Sequence, residues 1–344
     1  MEIKRIKWID VAKGFAMLLV ILGHIPTQKY LDIIIYAFHM PLFFLMSGYL
    51  IKVKDISFRE YVIKKFKTLI VPLIIYSGII IFFNLLFYCM ILHNESYQST
   101  MNRIIGIVVQ MKSGIYSSCL WFLPCLFVAQ LILYPIIRRG EDKHLIVFIV
   151  ILLVVGDGVY AICNKAGYLG SLPWCLDYVL LAASMLLMGY VIRNVYEKVI
   201  FSSNLVVYIY GLMFFVSMTI NYKIYGGACM FSKQGDLLLT AIESISGTLF
   251  TIGIIRNIKE CKILEYIGRN SLFYYSMQFI VFAIPNIIVY NILKINVEDL
   301  NNFEIIVFDV LYMVITLVIL KLLNEVKIKI INKAEEEYCG DKAN

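Results

Sequence analysis

Residues 13–24 read KGFAMLLVILGH and residues 38–48 read FHMPLFFLMSG, and these two apolar runs form the hairpin on which the fold depends. Both runs are apolar enough for membrane helices, yet they contain Lys13, His24 and His39. A charge near the centre of a bilayer costs at least ~2.5–3.5 kcal/mol on insertion scales. We therefore expect these three side chains to face the interior of a helix bundle, where a functional site would lie.

The composition of the whole chain is that of an integral membrane protein. Of its 344 residues, 61% are hydrophobic and only 16% are charged, and the mean hydropathy is +0.81. A soluble domain needs more polar surface than this to cover its core. The eight cysteines form neither a C-x-x-C pair nor a metal-ligand spacing, so we interpret them as small apolar residues. No small-residue cleavage site follows the first run, and we expect that run to be retained as a helix.

Ten apolar stretches are long enough, at about 20 residues each, to cross a membrane as helices. They cover residues 8–27, 31–51, 68–92, 119–137, 144–163, 174–192, 204–222, 236–256, 271–294 and 303–323. This predicts an all-α integral membrane fold of about ten transmembrane helices. Because no linker rich in Pro, Gly or Ser divides the chain, we expect a single domain over residues 1–334 and a short tail at 335–344.

Lysine and arginine are distributed unequally between the two sides of the predicted bundle. An even number of helices places both termini on one side, and most of the 31 Lys and Arg residues fall in loops on that side. The opposite side has Lys29, Arg103, Lys112, Lys165, Lys223, Lys233 and Lys294. The positive-inside rule therefore predicts a multi-pass protein of the cell membrane with both termini in the cytoplasm.

The longest loop on the opposite, outer side covers residues 93–118. Within it, residues 101–111 read MNRIIGIVVQM, a mixture of polar and apolar residues that suits a short helix lying in the membrane interface. Such a helix would either cap the outer mouth of a cavity or simply connect two transmembrane helices.

The first helix presents a cation and an imidazole on one face. Lys13 and His24 are eleven residues apart, which at 3.6 residues per turn returns to nearly the same face about 16 Å along the axis. Asp10 lies three residues before Lys13 and can neutralise it. The alternative is an interfacial Asp10–Lys13 pair, with His24 bonded to a neighbouring helix.

The second helix adds another imidazole. Two residues after His39 comes Pro41, which lacks a backbone N–H and so frees a carbonyl in the helix. The Ser47-Gly48-Tyr49 stretch would allow close approach of another helix. If His24 and His39 face one cavity, an imidazole there can act as a general base toward a hydroxyl. A metal site would need a third ligand, and we expect no metal.

These motifs together resemble the membrane-bound acyltransferase-3 family. The resemblance is carried by Lys13 and His24 with ten residues between them, by residues 38–44 (FHMPLFF) with Ser47-Gly48-Tyr49 after them, and by Trp121-Phe122-Leu123. Members of the family have ten helices with both ends inside, and they mostly O-acetylate cell-surface carbohydrates. The resemblance implies that His24 is the catalytic residue.

The resemblance also implies where the acyl donor binds. The family's R-x-x-R motif, at the cytoplasmic start of the third helix, falls on Lys64 and Lys67, which lack the planar fork of arginine. The basic cluster at residues 52–67 would attract the phosphates of acyl-coenzyme A, although the positive-inside rule accounts for such a cluster without a ligand. Lys13 and Arg269 are the other candidates for donor binding.

We therefore expect an O-acyltransferase that moves an acetyl or longer acyl group from cytoplasmic acetyl-CoA to a hydroxyl of a cell-surface carbohydrate or its lipid-linked precursor. His24 would deprotonate the hydroxyl, for direct attack or after a covalent acyl step. Lys13 with Asp10 would position the donor or stabilise charge, and His39 would orient His24 or contact the acceptor. The alternative function is a proton-coupled transporter or exporter of a small polar solute or glycan precursor.

Two further residues are candidates for acceptor binding. Trp121 would stack on a sugar ring or anchor its helix at the interface. Glu243 lies in the middle of the eighth predicted helix and would line the cavity. The other polar residues within predicted helices are Gln130, Asp157, Asp177, Gln278 and Asp309. We expect membrane lipid but no nucleic acid as a partner, and the sequence is compatible with a homodimer.

Overall fold

The computed structural model describes residues 6–25, 29–52, 56–84, 86, 97–113, 118–165, 171–231, 235–258, 260–292, 294 and 300–341. Over these residues the chain forms helices and no strand, so the predicted all-α fold is confirmed. The helices are α1 (Lys7–Leu22), α2 (Lys29–Tyr49), α3 (Phe58–Lys65), α4 (Val71–Asn84), α5 (Tyr97–Val109), α6 (Phe122–Arg139), α7 (Asp142–Lys165), α8 (Val179–Val191), α9 (Glu197–Ile200), α10 (Asn204–Tyr225), α11 (Leu237–Arg256), α12 (Lys262–Arg269), α13 (Ser271–Val281), α14 (Ala283–Asn286) and α15 (Asn302–Asp341).

Three of these helices are continued by wider turns of the π type. Residues Phe66–Ile70 join α3 to α4, residues Ile192–Tyr196 join α8 to α9, and residues Ile287–Ile292 follow α14. In the first of them the Thr68 hydroxyl donates to the carbonyl of Lys64 at 3.0 Å. Such turns occur often at functional sites, and this one follows directly after the basic end of α3.

Nine helical segments of the described chain are long and apolar enough to cross a membrane. Helix α1, with 16 residues, is not among them, since at 1.5 Å per residue it is only about 24 Å long. Counted with α1, the nine segments correspond one to one with the ten stretches predicted from hydropathy.

The helices divide into a central group and a peripheral group. Helices α2, α8 and α11 are mostly buried, and α1 packs against α2, α11, α12 and α13. By contrast, α7, α10 and α15 expose long series of apolar side chains that suit contact with lipid tails. The residues singled out in α1 and α2 therefore lie at the centre of the bundle.

Helices α2 and α8 approach each other at two glycines. A Cβ on Gly48 would overlap the carbonyl oxygen of Leu186, and a Cβ on Gly189 would overlap that of Leu45. Small residues at such crossings let helix backbones come into contact, where dispersion forces hold them together. The prediction that the Ser47-Gly48-Tyr49 stretch allows close helix approach is confirmed.

We expect the Gly189→Val variant to lose stability, because its side chain would have to push α8 away from the Leu45 carbonyl. Overpacking of this kind costs about 1–3 kcal/mol or more. The measurement is the midpoint of thermal unfolding in detergent. Gly158→Val on α7 is the matched control, since nothing lies within 4 Å of a Cβ at Gly158. Equal midpoints for the two variants would contradict the close crossing.

Pro41 interrupts the backbone hydrogen bonds of α2, as its missing N–H requires. The carbonyl oxygen of Ala37, four residues earlier, accepts a hydrogen bond from the Ser244 hydroxyl of α11 at 2.8 Å. The predicted free carbonyl is therefore confirmed, and a neighbouring helix satisfies it. This bond fixes the position of α2 against α11 close to His39.

The outer loop contains the short helix expected there. Helix α5 covers Tyr97–Val109 and overlaps the predicted segment 101–111. The rest of the predicted loop includes residues 93–96 and 114–117, which lie outside the described residues. At the other end of the chain, α15 continues to Asp341, so the predicted tail at 335–344 begins within a helix.

Candidate functional site

Two adjoining cavities lie within the bundle. The large cavity, with a volume of 1360 Å³, is lined by His24, Tyr36, His39, Lys112, Trp121 and Tyr178 among others. The small cavity, with a volume of 260 Å³, is lined by Lys13, Ser47, Lys65, Gln130 and Ser271 among others. Ligand pockets usually measure about 300–1,000 Å³, so the large cavity has room for sugar rings and the small one only for a slender group.

The two cavities are neighbours that share part of their walls. Val20, Met40 and Tyr275 line both of them. Val20 lies on α1 between Lys13, which lines the small cavity, and His24, which lines the large one. One face of α1 therefore runs along both cavities, as the eleven-residue spacing of Lys13 and His24 predicts.

His24 lies in the turn directly after α1, where it is exposed and lines the large cavity. Its Nδ1 atom donates to the carbonyl oxygen of Val20 at 2.7 Å, and its ring meets the Phe279 ring edge-on with 4.9 Å between centroids. A carbonyl oxygen can only accept, so Nδ1 carries the proton of the neutral ring and Nε2 holds the lone pair. The backbone and an aromatic ring thus fix an imidazole whose Nε2 can accept a proton.

His39 lies in the middle of α2 and is buried, with only 3% of its surface exposed. Its Nδ1 donates to the carbonyl oxygen of Ile35 at 2.7 Å, the same arrangement that His24 has one helix away. Both histidines line the large cavity, as the sequence predicts. The cavity therefore has two imidazoles with the same tautomer in its wall.

Tyr36, which was not predicted as a site residue, connects the surroundings of the two histidines. Its hydroxyl donates to the carbonyl oxygen of Gly23 at 2.8 Å, next to His24. Its ring meets the His39 ring edge-on with 5.1 Å between centroids. Tyr36 could have been predicted from its position three residues before His39, which places both side chains on one face of α2.

Asp10 forms an ion pair across helices. It is buried on α1, and its Oδ2 lies 3.6 Å from Nε of Arg269 on α12. Arg269 also pairs with Glu265 at 3.2 Å within α12. The ion pair of Asp10 with Arg269 was not predicted, because it depends on the packing of α12 against α1, which hydropathy does not reveal.

The basic end of α3 presents a different lysine to the interior than the motif implied. Lys64 and Lys67 are exposed, and neither lines either cavity. Lys65, between them, is half-buried and lines the small cavity, with its ammonium 5.2 Å from the centre of the Tyr61 ring. Lys64 and Lys67 share one helix face, whereas Lys65 lies about 100° away from Lys64.

The two predicted acceptor contacts lie in different surroundings. Trp121 lines the large cavity. Glu243 is buried on α11 but lines neither cavity, and it accepts a hydrogen bond from the Asn221 side chain of α10. Asn221 also donates to the carbonyl of Ala228 at 2.7 Å. Glu243 thus joins α10 to α11, and we do not assign it to acceptor binding.

Of the other polar residues noted in the sequence, Gln130 lines the small cavity. Asp157, Asp177, Gln278 and Asp309 line neither cavity. Within the part of the chain that the structure describes, no three His, Cys, Asp or Glu side chains come together as metal ligands would.

Comparison with known protein families identifies the chain. Residues 6–324 match the family model described as an acyltransferase domain, and this range includes all the described residues that line the two cavities. Comparison with curated proteins and with solved structures gave no match. The match extends over nearly the whole chain, and the helices within it are long and apolar enough to cross a membrane. The chain therefore belongs to the acyltransferase-3 family and is a multi-pass membrane acyltransferase.

Proposed function

We propose that this protein transfers an acetyl group from cytoplasmic acetyl-CoA to a hydroxyl of a cell-surface carbohydrate or its lipid-linked precursor, with His24 as the general base. The observation that carries the proposal is that Val20, Met40 and Tyr275 line both cavities, so the two lie side by side. It supports a route in which the donor enters from one side of the membrane and the acceptor from the other.

The donor uses the small cavity. Lys13 and Lys65 supply two cations in its wall, while Lys64 and Lys67 are exposed beside them. Coenzyme A has several phosphates on its nucleotide and a slender, uncharged pantetheine arm that ends in the thioester. Lys13 and Lys65 hold the phosphates, and the pantetheine arm passes Val20 toward the large cavity.

The acceptor occupies the large cavity, where Trp121 packs against a sugar ring. Nε2 of His24 takes the proton of the acceptor hydroxyl as its oxygen attacks the thioester carbonyl. The C–S bond then breaks, and coenzyme A leaves through the small cavity with the proton returned to its sulfur. Tyr36 holds the Gly23 carbonyl and packs on His39, so these two residues are positioning residues for His24.

Replacing Lys65 by Ala should raise the KM for acetyl-CoA by about 10- to 100-fold, since a hydrogen bond to a charged group is worth about 1.5–3 kcal/mol. Lys64→Ala is the matched control: an exposed charge contributes about 0–1 kcal/mol, so KM should change by no more than about fivefold. Initial rates of coenzyme A release at varied acetyl-CoA give both values. A larger effect at Lys64 than at Lys65 would contradict the donor site.

The proposed function is tested by comparing surface glycans of cells with and without the gene. We expect one class of O-acetyl ester to disappear, and labelled acetyl-CoA to yield free coenzyme A and labelled glycan in membranes from cells that contain the protein. A flux of solute coupled to protons, without release of coenzyme A, would instead support a transporter and overturn the proposal.

A further inference from the structure

Lys112 brings a cation into the large cavity from the loop after α5. It is half-buried, and its ammonium lies 5.4 Å from the centre of the Trp121 ring and 4.9 Å from that of the Tyr178 ring. All three side chains line the large cavity. Two aromatic faces therefore hold one lysine in the cavity that also contains His24 and His39.

The backbone around Lys112 is fixed. Its N–H donates to the Ser171 hydroxyl at 2.7 Å, and two residues earlier Gln110 has a φ of 54°, a left-handed conformation that is unfavourable for a residue with a side chain. Trp174 holds the end of α5, just before this loop, by donating from its indole nitrogen to the carbonyl of Val108 at 3.3 Å. Strained backbone of this kind tends to occur where a protein holds a residue for function.

The described part of the large cavity has no carboxylate beside Lys112 in its wall. Among the described residues that line the cavity, none is Asp or Glu. The described ion pairs likewise do not include Lys112. The acidic neighbour of Tyr178 is Asp177, whose carboxylate accepts the N–H of Leu172 at 3.1 Å and which does not line the cavity.

Burial acts against the charge on this lysine. It lowers the pKa of the Lys112 ammonium below its ordinary value, and the acidic and thiol groups nearby, including Asp177, act in the opposite direction. A buried cation is costly unless an anion pairs with it, and cation–π contact recovers only part of that cost. Among the described residues that line the cavity, Lys112 is thus a cation without a carboxylate in the same wall, and Asp177 outside the wall offsets its charge only in part.

We propose that the acceptor is anionic and that Lys112 binds its negatively charged group, a carboxylate or a phosphate, in the large cavity. The inference deepens the proposed function and rests on it, because only an acyltransferase has an acyl acceptor to bind in this cavity. Trp121 and Tyr178 hold the ammonium in place and pack on the sugar, while the neutral imidazole of His24 faces the hydroxyl to be acylated. An acidic sugar unit or a sugar phosphate fits this arrangement, and a neutral glycan leaves the lysine unpaired.

The test compares three monosaccharide probes that differ in charge. Methyl glucuronide carries a carboxylate, glucose 1-phosphate carries a phosphate, and methyl glucoside is neutral. Binding of each labelled probe is measured by equilibrium dialysis against the full-length protein in nanodiscs of zwitterionic lipid. The variants are Lys112→Met, which removes the charge, and Lys112→Arg, which keeps it. Lys165→Met, at an exposed position at the end of α7, is the control.

We expect the wild-type protein to bind at least one anionic probe about tenfold or more tightly than methyl glucoside, as a charge-assisted contact requires. Lys112→Met should abolish this preference, while Lys112→Arg and Lys165→Met should keep it. The stronger of the two anionic probes tells a carboxylate acceptor from a phosphate acceptor.

Equal binding of the three probes to the wild-type protein, or a preference that survives in Lys112→Met, would overturn the inference. Lys112→Arg retains the charge and should keep the preference. If Lys112→Met fails to fold, the binding preference of the wild-type protein and of Lys112→Arg still tests the inference. Transfer of labelled acetyl is measured on the same samples. Charge-selective binding without any acetyl transfer would contradict the proposed function but support the anion site. Acetyl transfer without charge-selective binding would support the proposed function but contradict the anion site.

Discussion

The His24→Ala variant should transfer acetyl about 10²- to 10⁴-fold more slowly than the wild-type protein, the range that a general base contributes. In the structure the Nδ1 proton of His24 is engaged by the Val20 carbonyl, which leaves Nε2 as the only basic atom of the ring. Alanine removes that atom and leaves α1 intact. The measurement is the initial rate of labelled acetyl transfer to glycan in membranes that contain equal amounts of protein.

His144→Ala is the matched control for this experiment. His144 is exposed, lies at the start of the segment His144–Lys165, and lines neither cavity. We expect its removal to leave the rate unchanged within about twofold, the effect of a surface substitution of ±0.5 kcal/mol. Full activity in His24→Ala, at normal membrane insertion, would remove His24 from the mechanism.

The Met40→Trp variant should lose about 10²-fold of the transfer rate, because the larger ring would fill space in the wall that the two cavities share. Met40 lines both cavities and is almost fully buried, so an indole there displaces the thioester end of the donor. Misplacement of a reacting group by about 1 Å can cost 10²-fold. The same labelled transfer assay measures the loss.

Two controls separate a blocked passage from a damaged fold. Met40→Ala widens the junction and should retain most of the rate, since no hydrogen bond of Met40 is lost. Met213→Trp makes the same exchange on the lipid-facing side of α10, where the side chain is 44% exposed, and should have no effect. If Met40→Trp were as active as Met213→Trp, the donor would have to reach His24 by another route.

The positions of the helices were accessible from the sequence because hydropathy depends only on composition along the chain. All ten apolar stretches correspond to helices, and the hairpin of Lys13, His24 and His39 lies at the centre as expected. The small residues of the Ser47-Gly48-Tyr49 stretch also indicated the close helix crossing, and the mixed polar and apolar residues at 101–111 indicated the short helix in the outer loop. These features are local, so neighbouring residues in the chain are enough to specify them.

Which face of a helix points inward is not a local property, and here the structure differs from what position along the chain suggested. The R-x-x-R spacing drew attention to Lys64 and Lys67, but the packing of α3 turns Lys65 toward the small cavity. Glu243 was expected in the cavity from its depth alone, yet it faces Asn221 of α10. In both cases the neighbouring helix decides which side chains face the interior, and the sequence of a single helix does not specify that neighbour.

Lys112 illustrates a further limit of the same kind. In the sequence it is one of the lysines in outer loops, where charged residues are ordinarily solvated. Its entry into the large cavity depends on contacts with Ser171 and Trp121, neither of which is adjacent to Lys112 in the chain. Only the folded arrangement brings these residues together, so spacing in the sequence could not have identified the cation.

The central claim is that a donor from the cytoplasmic side reacts at His24 with an acceptor on the outer side. Membrane vesicles of opposite orientation test it directly, with labelled acetyl-CoA added only to the external medium. Inside-out vesicles should transfer label to glycan in their lumen, whereas right-side-out vesicles and His24→Ala vesicles of either orientation should not. Equal transfer by right-side-out vesicles, or transfer that persists without His24, would contradict the claim.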